Sequence, residues 1–179
     1  VMAQSILLEN PLNIEREDEP FSIHRKSISV PKDKLPIIKD ASGNIIPCQV
    51  DDVDADGQWD ELAFVYSLKA FEKVKLQMQF VDKLPAFNQR TYARLGKRNP
   101  ATGAFESVTS EVHPKDHVAQ SEPWPYQFEG PGWENDKVAF RAYFDSRNGR
   151  DIYGKVTSRM VLDSIQLFGN YHVFDARWG

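Results

Sequence analysis

Lys73-Val74-Lys75-Leu76-Gln77-Met78-Gln79-Phe80 alternates polar and apolar side chains without a break. A period of two puts Val74, Leu76, Met78 and Phe80 on one face of a β-strand, toward a core, and the lysines and glutamines on the wet face. The preceding run Leu62-Ala63-Phe64-Val65-Tyr66 is short and largely apolar, the pattern of a strand in a sandwich centre. Further upstream, Pro36-Ile37-Ile38 and Ile45-Ile46-Pro47-Cys48-Gln49-Val50 flank the turn-rich link Lys39-Asp40-Ala41-Ser42-Gly43-Asn44, which suggests a hairpin. Downstream, Val138, Phe140, Ala142 and Phe144 mark a strong strand, and Val108 with Val112 mark another. Residues 156–165 are ambiguous, because Val156, Met160 and Ser164 share a helical stripe while strand content is also plausible. Eleven prolines and ten glycines lie between these short strands. The expectation is an all-β fold, an antiparallel β-sandwich with little helix, as one sandwich-like domain over residues 1–179.

Composition narrows the function. At 41% hydrophobic, 27% charged and 12% aromatic residues, the 179-residue chain has the balance of a folded globular protein. A formal net charge of −4 gives no basic excess with which to neutralise nucleic-acid phosphates. No apolar run reaches the length of a membrane span. Cys48 is the one cysteine, which leaves no internal disulfide and no cysteine-rich zinc site, and no organic cofactor is expected. At the amino end, Val1 and Ala3 before Gln4 fit the small-residue cleavage site of an exported precursor, or else mark an artificial boundary. At the other end, the strand-like Tyr171-His172-Val173-Phe174-Asp175 runs straight into Trp178-Gly179, which suggests the front part of a longer polypeptide.

Asp52-Val53-Asp54-Ala55-Asp56-Gly57-Gln58-Trp59-Asp60-Glu61 is the most specific motif. Aspartates at alternate positions followed by Gly open a calcium loop, with Asp52, Asp54, Asp56, the carbonyl of Gln58 and Asp60 as ligands. Position twelve, counted from Asp52, is Ala63 and not the Glu that closes an EF-hand shell. Calcium would relieve repulsion among these carboxylates; the alternative is a solvated acidic turn whose side chains cap backbone amides.

Residues 113–135 break the strand rhythm with Pro114, Pro123, Pro125 and Pro131 and the aromatics Trp124, Tyr126 and Trp133. Long connections of this kind are often functional, and this one is read as a functional loop. On the strand that follows, Arg141, Tyr143 and Asp145 must point away from Val138, Phe140, Ala142 and Phe144. That polar row is read as the outer face, either a wet surface or the floor of a cleft for a polyhydroxylated acidic ligand. Arg offers a fork to a carboxylate and the loop tryptophans offer platforms for sugar rings. Glu122, Glu129 and Glu134 give weaker support for a two-carboxylate hydrolytic site, and Pro114 argues against His113 and His117 as a helical metal pair.

The runs Pro47-Cys48-Gln49-Val50-Asp51-Asp52, Asp54–Leu62, Glu129–Arg141, Asp145-Ser146-Arg147-Asn148, Asp151-Ile152-Tyr153-Gly154-Lys155 and Tyr171-His172 resemble the domain-of-unknown-function family numbered 4861 along nearly the whole chain. The resemblance implies an exported bacterial protein, periplasmic or extracellular, linked to polysaccharide degradation. It implies action on uronate-containing oligosaccharides by β-elimination, as a lyase or dehydratase. It also implies a longer chain; Phe168 and Ala176-Arg177 depart from the family pattern near the end. Elimination beside a carboxylate needs a clamp for that carboxylate, a base, and an acid for the leaving oxygen. Arg141 or Arg147 would be the clamp, His172 the base, and Tyr143 or Tyr153 the acid. Asn148, Trp124, Trp133, Glu134 and Lys155 would contact substrate. The alternatives are a non-catalytic carbohydrate-binding sandwich and a purely structural one. The sequence leaves the sugar and the oligomeric state open.

Overall fold

The computed structural model describes residues 4–113 and 123–165. The fold is all-β, built from several antiparallel sheets. A single domain is the expectation from length; the chain divides into two compact units, Val1–Phe87 and Asn88–Gly179.

The first unit holds seven strands: β1 (Gln4–Glu9), β2 (Arg16–His24), β3 (Leu35–Lys39), β4 (Ile45–Ile46), β5 (Cys48–Asp51), β6 (Glu61–Leu68) and β7 (Lys73–Val81). They form a four-stranded sheet in the order β1-β7-β3-β4 and a three-stranded sheet in the order β2-β6-β5. The alternation of β7 works as the sequence requires. Leu76 and Met78 are fully buried while Lys73, Lys75 and Gln77 face water. Ile38 and Leu8 from the same sheet meet Leu62, Phe64 and Leu68 from the other in one core, so this unit is a two-layer sandwich. Each fully buried aliphatic side chain contributes about 1.5–3 kcal/mol.

The expected hairpin is present but short, with Ile38 opposite Ile46 and Lys39 opposite Ile45. Gly43 supplies the positive φ of its turn, +86°. Pro47 then interrupts the strand because it has no N–H for the ladder. Past it, β5 pairs with β6 in the second sheet, Cys48 opposite Phe64. One sequence run thus feeds both layers.

The second unit carries β8 (Thr91–Arg94), β9 (Gly96–Arg98), β10 (Phe105–Ser107), β11 (Gly132–Asn135), β12 (Val138–Ala142) and β13 (Arg150–Gly154). Strands β9 and β10 form a hairpin, and the others form a sheet in the order β13-β12-β11-β8. Phe128 and Leu162 pack on the inner face of that sheet with Ala139, joined by Tyr92 and Ile165. Gly130 and Gly132 allow this approach. A Cβ on Gly130 would lie 2.1 Å from the Ala142 carbonyl oxygen, and one on Gly132 would lie 3.1 Å from the Phe128 ring.

Three expectations are corrected here. The Val108–Val112 strand is absent; the strand is β10, just upstream, and Val112 is exposed. Residues 156–165 form turns, held because the amides of Val161 and Leu162 donate to the Glu134 carboxylate. The alternation along β12 is right but its sense is inverted, since Ala139, Arg141, Tyr143 and Asp145 take the buried face and Val138, Phe140 and Ala142 are half-buried. Alternation fixes which residues share a face, whereas which face is covered depends on partners distant in sequence. Among the described residues, no helix is long and apolar enough to cross a membrane.

Candidate functional site

Cross-strand register assembles the site. One row of the second unit's sheet runs Arg94, Gly132, Arg141, Asp151, and the adjacent row on the same face runs Tyr92, Glu134, Ala139, Tyr153. Arg141 and Asp151 are therefore direct neighbours, and Tyr143 and Tyr153 extend their face by one step along each strand.

Arg141 is 4% exposed, and its Nε and Nη2 donate to Asp151 Oδ2 at 2.8 and 2.6 Å. Its Nη2 also donates to the Tyr143 hydroxyl. The hydroxyls of Tyr143 and Tyr153 donate to the same Asp151 oxygen at 2.7 and 3.0 Å. One carboxylate oxygen thus gathers a guanidinium and two phenols. Burial pushes the Asp151 carboxyl up, but hydrogen bonds from Tyr143, Arg141 and Tyr153 outweigh it and hold the group below its ordinary range. Burial first, and then the bond to Asp151, push the Tyr143 phenol up to about 12. The Tyr153 phenol is raised by burial and by Asp151, against the lowering effect of Arg141. Both phenols are protonated at neutral pH.

Arg147 forms the second half of the cluster. Its guanidinium lies 4.0 Å from the centroid of the Tyr143 ring, which Arg141 also approaches, at 4.4 Å. Its Nε donates to both oxygens of the buried Asp145, and Nη2 donates to Asp145 and, at 2.9 Å, to Glu129. These bonds, those to Asp145 foremost, hold its pKa above that of a free arginine. Arg147 Nη1 makes no hydrogen bond among the described residues, and the side chain is 42% exposed.

Glu129 reaches this cluster through a costly backbone. Phe128 and Glu129 both have positive φ, 59° and 61°. Such residues cost about 1–3 kcal/mol each and persist where the surroundings over-determine them. Here the Phe144 amide donates to the Glu129 carbonyl at 2.8 Å, and the Gly130 amide to that of Gln127. The Glu129 carboxylate is buried, with Oε2 lying 3.9 Å from Arg141 Nη1 and accepting no hydrogen bond among the described residues.

The other residues singled out from sequence disperse. Glu134 and Lys155 form a buried ion pair whose remaining donors and acceptors are taken by Asn135, Arg159, Val161 and Leu162. Trp133 lies on the opposite face of the sheet from Arg141, stacked on Phe140 at 5.6 Å and 13°. The expected hollow with arginine floor and Trp133 roof is therefore not formed. Trp124 is half-buried and its carbonyl accepts from Arg98 at 2.7 Å. Asn148 is exposed at positive φ, its amide on the Asp145 carbonyl. His172 lies outside the described residues, as do His117, Glu122 and residues 114–122 of the long loop. Asp151, which the sequence reading leaves without a role, is the hub; its signal is the alternate spacing Asp151-x-Tyr153 on one strand face.

In the first unit, ligand atoms of Asp52, Asp54 and Asp60 lie within 4.8 Å of one another. The loop is also a set of Asx turns. Asp52 accepts from the amides of Asp56 and Gly57, Asp54 accepts from Asp56, Asp56 accepts from Gln58, and Asp60 accepts from Val53. Asp56 lies in the same loop but its carboxylate is outside that cluster of atoms.

A family described as a domain of unknown function, DUF4861, matches residues 8–179. The chain belongs to that family. No curated protein and no solved structure matches this DUF4861 chain. The family assignment accounts for the shared sequence runs and leaves the chemistry to be argued from the site.

Proposed function

We propose that this DUF4861 domain acts, outside the cytoplasm, on acidic, uronate-containing oligosaccharides by β-elimination at the Arg147–Tyr143–Asp151–Tyr153 cluster. The observation that carries this reading is the state of Arg147. Its Nε and Nη2 are fixed by Asp145 and Glu129, while Nη1 makes no hydrogen bond among the described residues and the side chain is half-exposed. A guanidinium anchored on one edge loses little freedom when the other edge takes a carboxylate. Neutralising the substrate carboxylate acidifies the neighbouring C–H. Tyr153, half-exposed and protonated, is the proton donor for the leaving oxygen, and Asp151 with Arg141 orients it. Arg141 is thereby a positioning residue and Arg147 the clamp. His172 is the proposed base. The expected outcome is that incubation with uronate oligosaccharides produces a new double bond read by ultraviolet absorbance. Arg147→Lys should cut turnover by about two orders of magnitude, as loss of a preorganised transition-state donor does.

A second reading, binding without catalysis, is favoured by the exposed Trp133–Phe140 stack on the other sheet face. It predicts saccharide binding that Trp133→Ala abolishes, with no product formed.

A further inference from the structure

The first unit carries a hollow of about 570 Å³ at the end of β2, remote in sequence from the cluster just described. Its volume lies within the range of small-ligand sites. One wall is basic. Arg25 and Lys26 follow β2 in a single 3-10 turn, and neither has a carboxylate partner among the described residues. Arg25 is already positioned, its guanidinium 5.2 Å from the centroid of the Trp59 ring and its Nη1 bonded to Gln58 Oε1 and the Trp59 carbonyl at 3.2 and 3.3 Å. Its guanidinium Nε and Nη2 make no hydrogen bond among the described residues. Asp56 and Asp60 also line the hollow, and Ile28 and Val30 supply apolar surface.

The Arg25 amide donates to the Asp60 carbonyl at 2.7 Å, yet the charged side chains that line the hollow do not pair. Oppositely charged groups line one hollow, yet no ion pair within 4.0 Å joins Arg25 or Lys26 to Asp56 or Asp60. Each of those aspartates instead accepts a backbone amide of its own loop, from Gln58 and from Val53, which holds the acidic wall in place. Fixed, separated charges of both signs suit a ligand that carries an anion at one end and hydroxyl donors at the other.

We infer that this hollow is a binding site for an acidic saccharide unit. Its carboxylate lies on Arg25 and Lys26, its hydroxyls donate to Asp56, and its ring sits against Ile28 and Val30. The choice of a saccharide among polyhydroxylated acids rests on the elimination reading above; the site itself does not use that cluster.

The test is calorimetric titration of the full chain with digalacturonate and, as the neutral control, maltose. Digalacturonate should bind at least about tenfold more tightly than maltose, the weight of one charge-assisted hydrogen bond. Arg25→Gln and Lys26→Ser should each weaken it by about tenfold, and Lys26, being exposed, can change without disturbing the core. Arg147→Lys should leave this binding in place even while it cuts turnover. Equal affinity for the two sugars, no binding, or affinity that Lys26→Ser and Arg25→Gln leave unchanged would overturn the inference. Binding lost in Arg147→Lys alone would do so too, while leaving the elimination reading intact.

Discussion

Replacing Asp151 by Asn removes the charge that faces buried Arg141 while nearly preserving shape. In the folded protein that carboxylate oxygen accepts two guanidinium bonds, at 2.8 and 2.6 Å, and two phenol bonds. Hydrogen bonds to a charged group are worth about 1.5–3 kcal/mol each, and breaking a buried pair costs about 3–5 kcal/mol. Asp151 is 38% exposed, so screening reduces the figure, and the amide oxygen recovers part of the phenol bonding. About 2 kcal/mol remains, which for a chain of this length lowers Tm by roughly 4–8 °C. The sign with pH follows from the lowered carboxyl. Its contribution is fully present above the unfolded-state value of about 3.9 and is lost as pH falls through the folded-state value below it. Thermal unfolding of wild type and Asp151→Asn at pH 7 and at pH 3 reads this directly. The gap should be wide at pH 7 and narrower at pH 3. An equal Tm at pH 7, or a gap that widens on acidification, would refute the assignment of Asp151 as the hub.

Lys155→Met should destabilise by about 3–5 kcal/mol in urea unfolding, because it strands the fully buried Glu134 carboxylate, and adding Glu134→Gln should return much of that loss. Gly130→Ala should be destabilising beyond ordinary glycine effects or prevent folding, since its Cβ would overlap the Ala142 carbonyl; a far-ultraviolet spectrum and melt identical to wild type would contradict the packing described. We propose that the acidic loop takes calcium as a structural ion. Calcium hundredfold above its Kd should then stabilise wild type by about 2.7 kcal/mol and Asp54→Asn far less, whereas no calcium-dependent Tm shift in wild type would reduce the loop to its Asx turns.

The strands of the first unit are legible where one face is apolar. β7 announces itself through four alternating apolar residues, and β6 through an unbroken apolar run. β2 is harder to see, because Arg-Glu-Asp-Glu-Pro occupies its first half; it is an edge strand, where Pro20 and charges are tolerated. In the second unit the rule that apolar residues mark the inside misleads. β12 turns Arg141 inward because Asp151, one strand away, and Glu129, in the segment before β11, satisfy it there. Nothing local to Arg141 encodes those partners. The same inversion separates Trp133 from the polar cluster, since residues opposite Phe140 must share its face. Arg147 is legible as a candidate for carboxylate binding from its residue type alone, whereas which of its nitrogens are occupied depends on where Asp145 and Glu129 direct their oxygens.

The central claim concerns Arg147 and the phenols, and the most direct measurement is ultraviolet absorbance during incubation of the chain with uronate oligosaccharides, wild type against Arg147→Lys and Tyr153→Phe. Absorbance from a new double bond should rise with wild type and stay near baseline with both variants, while all three remain folded at the assay temperature. A rise of equal rate in the variants, or none with any uronate substrate, would contradict the account.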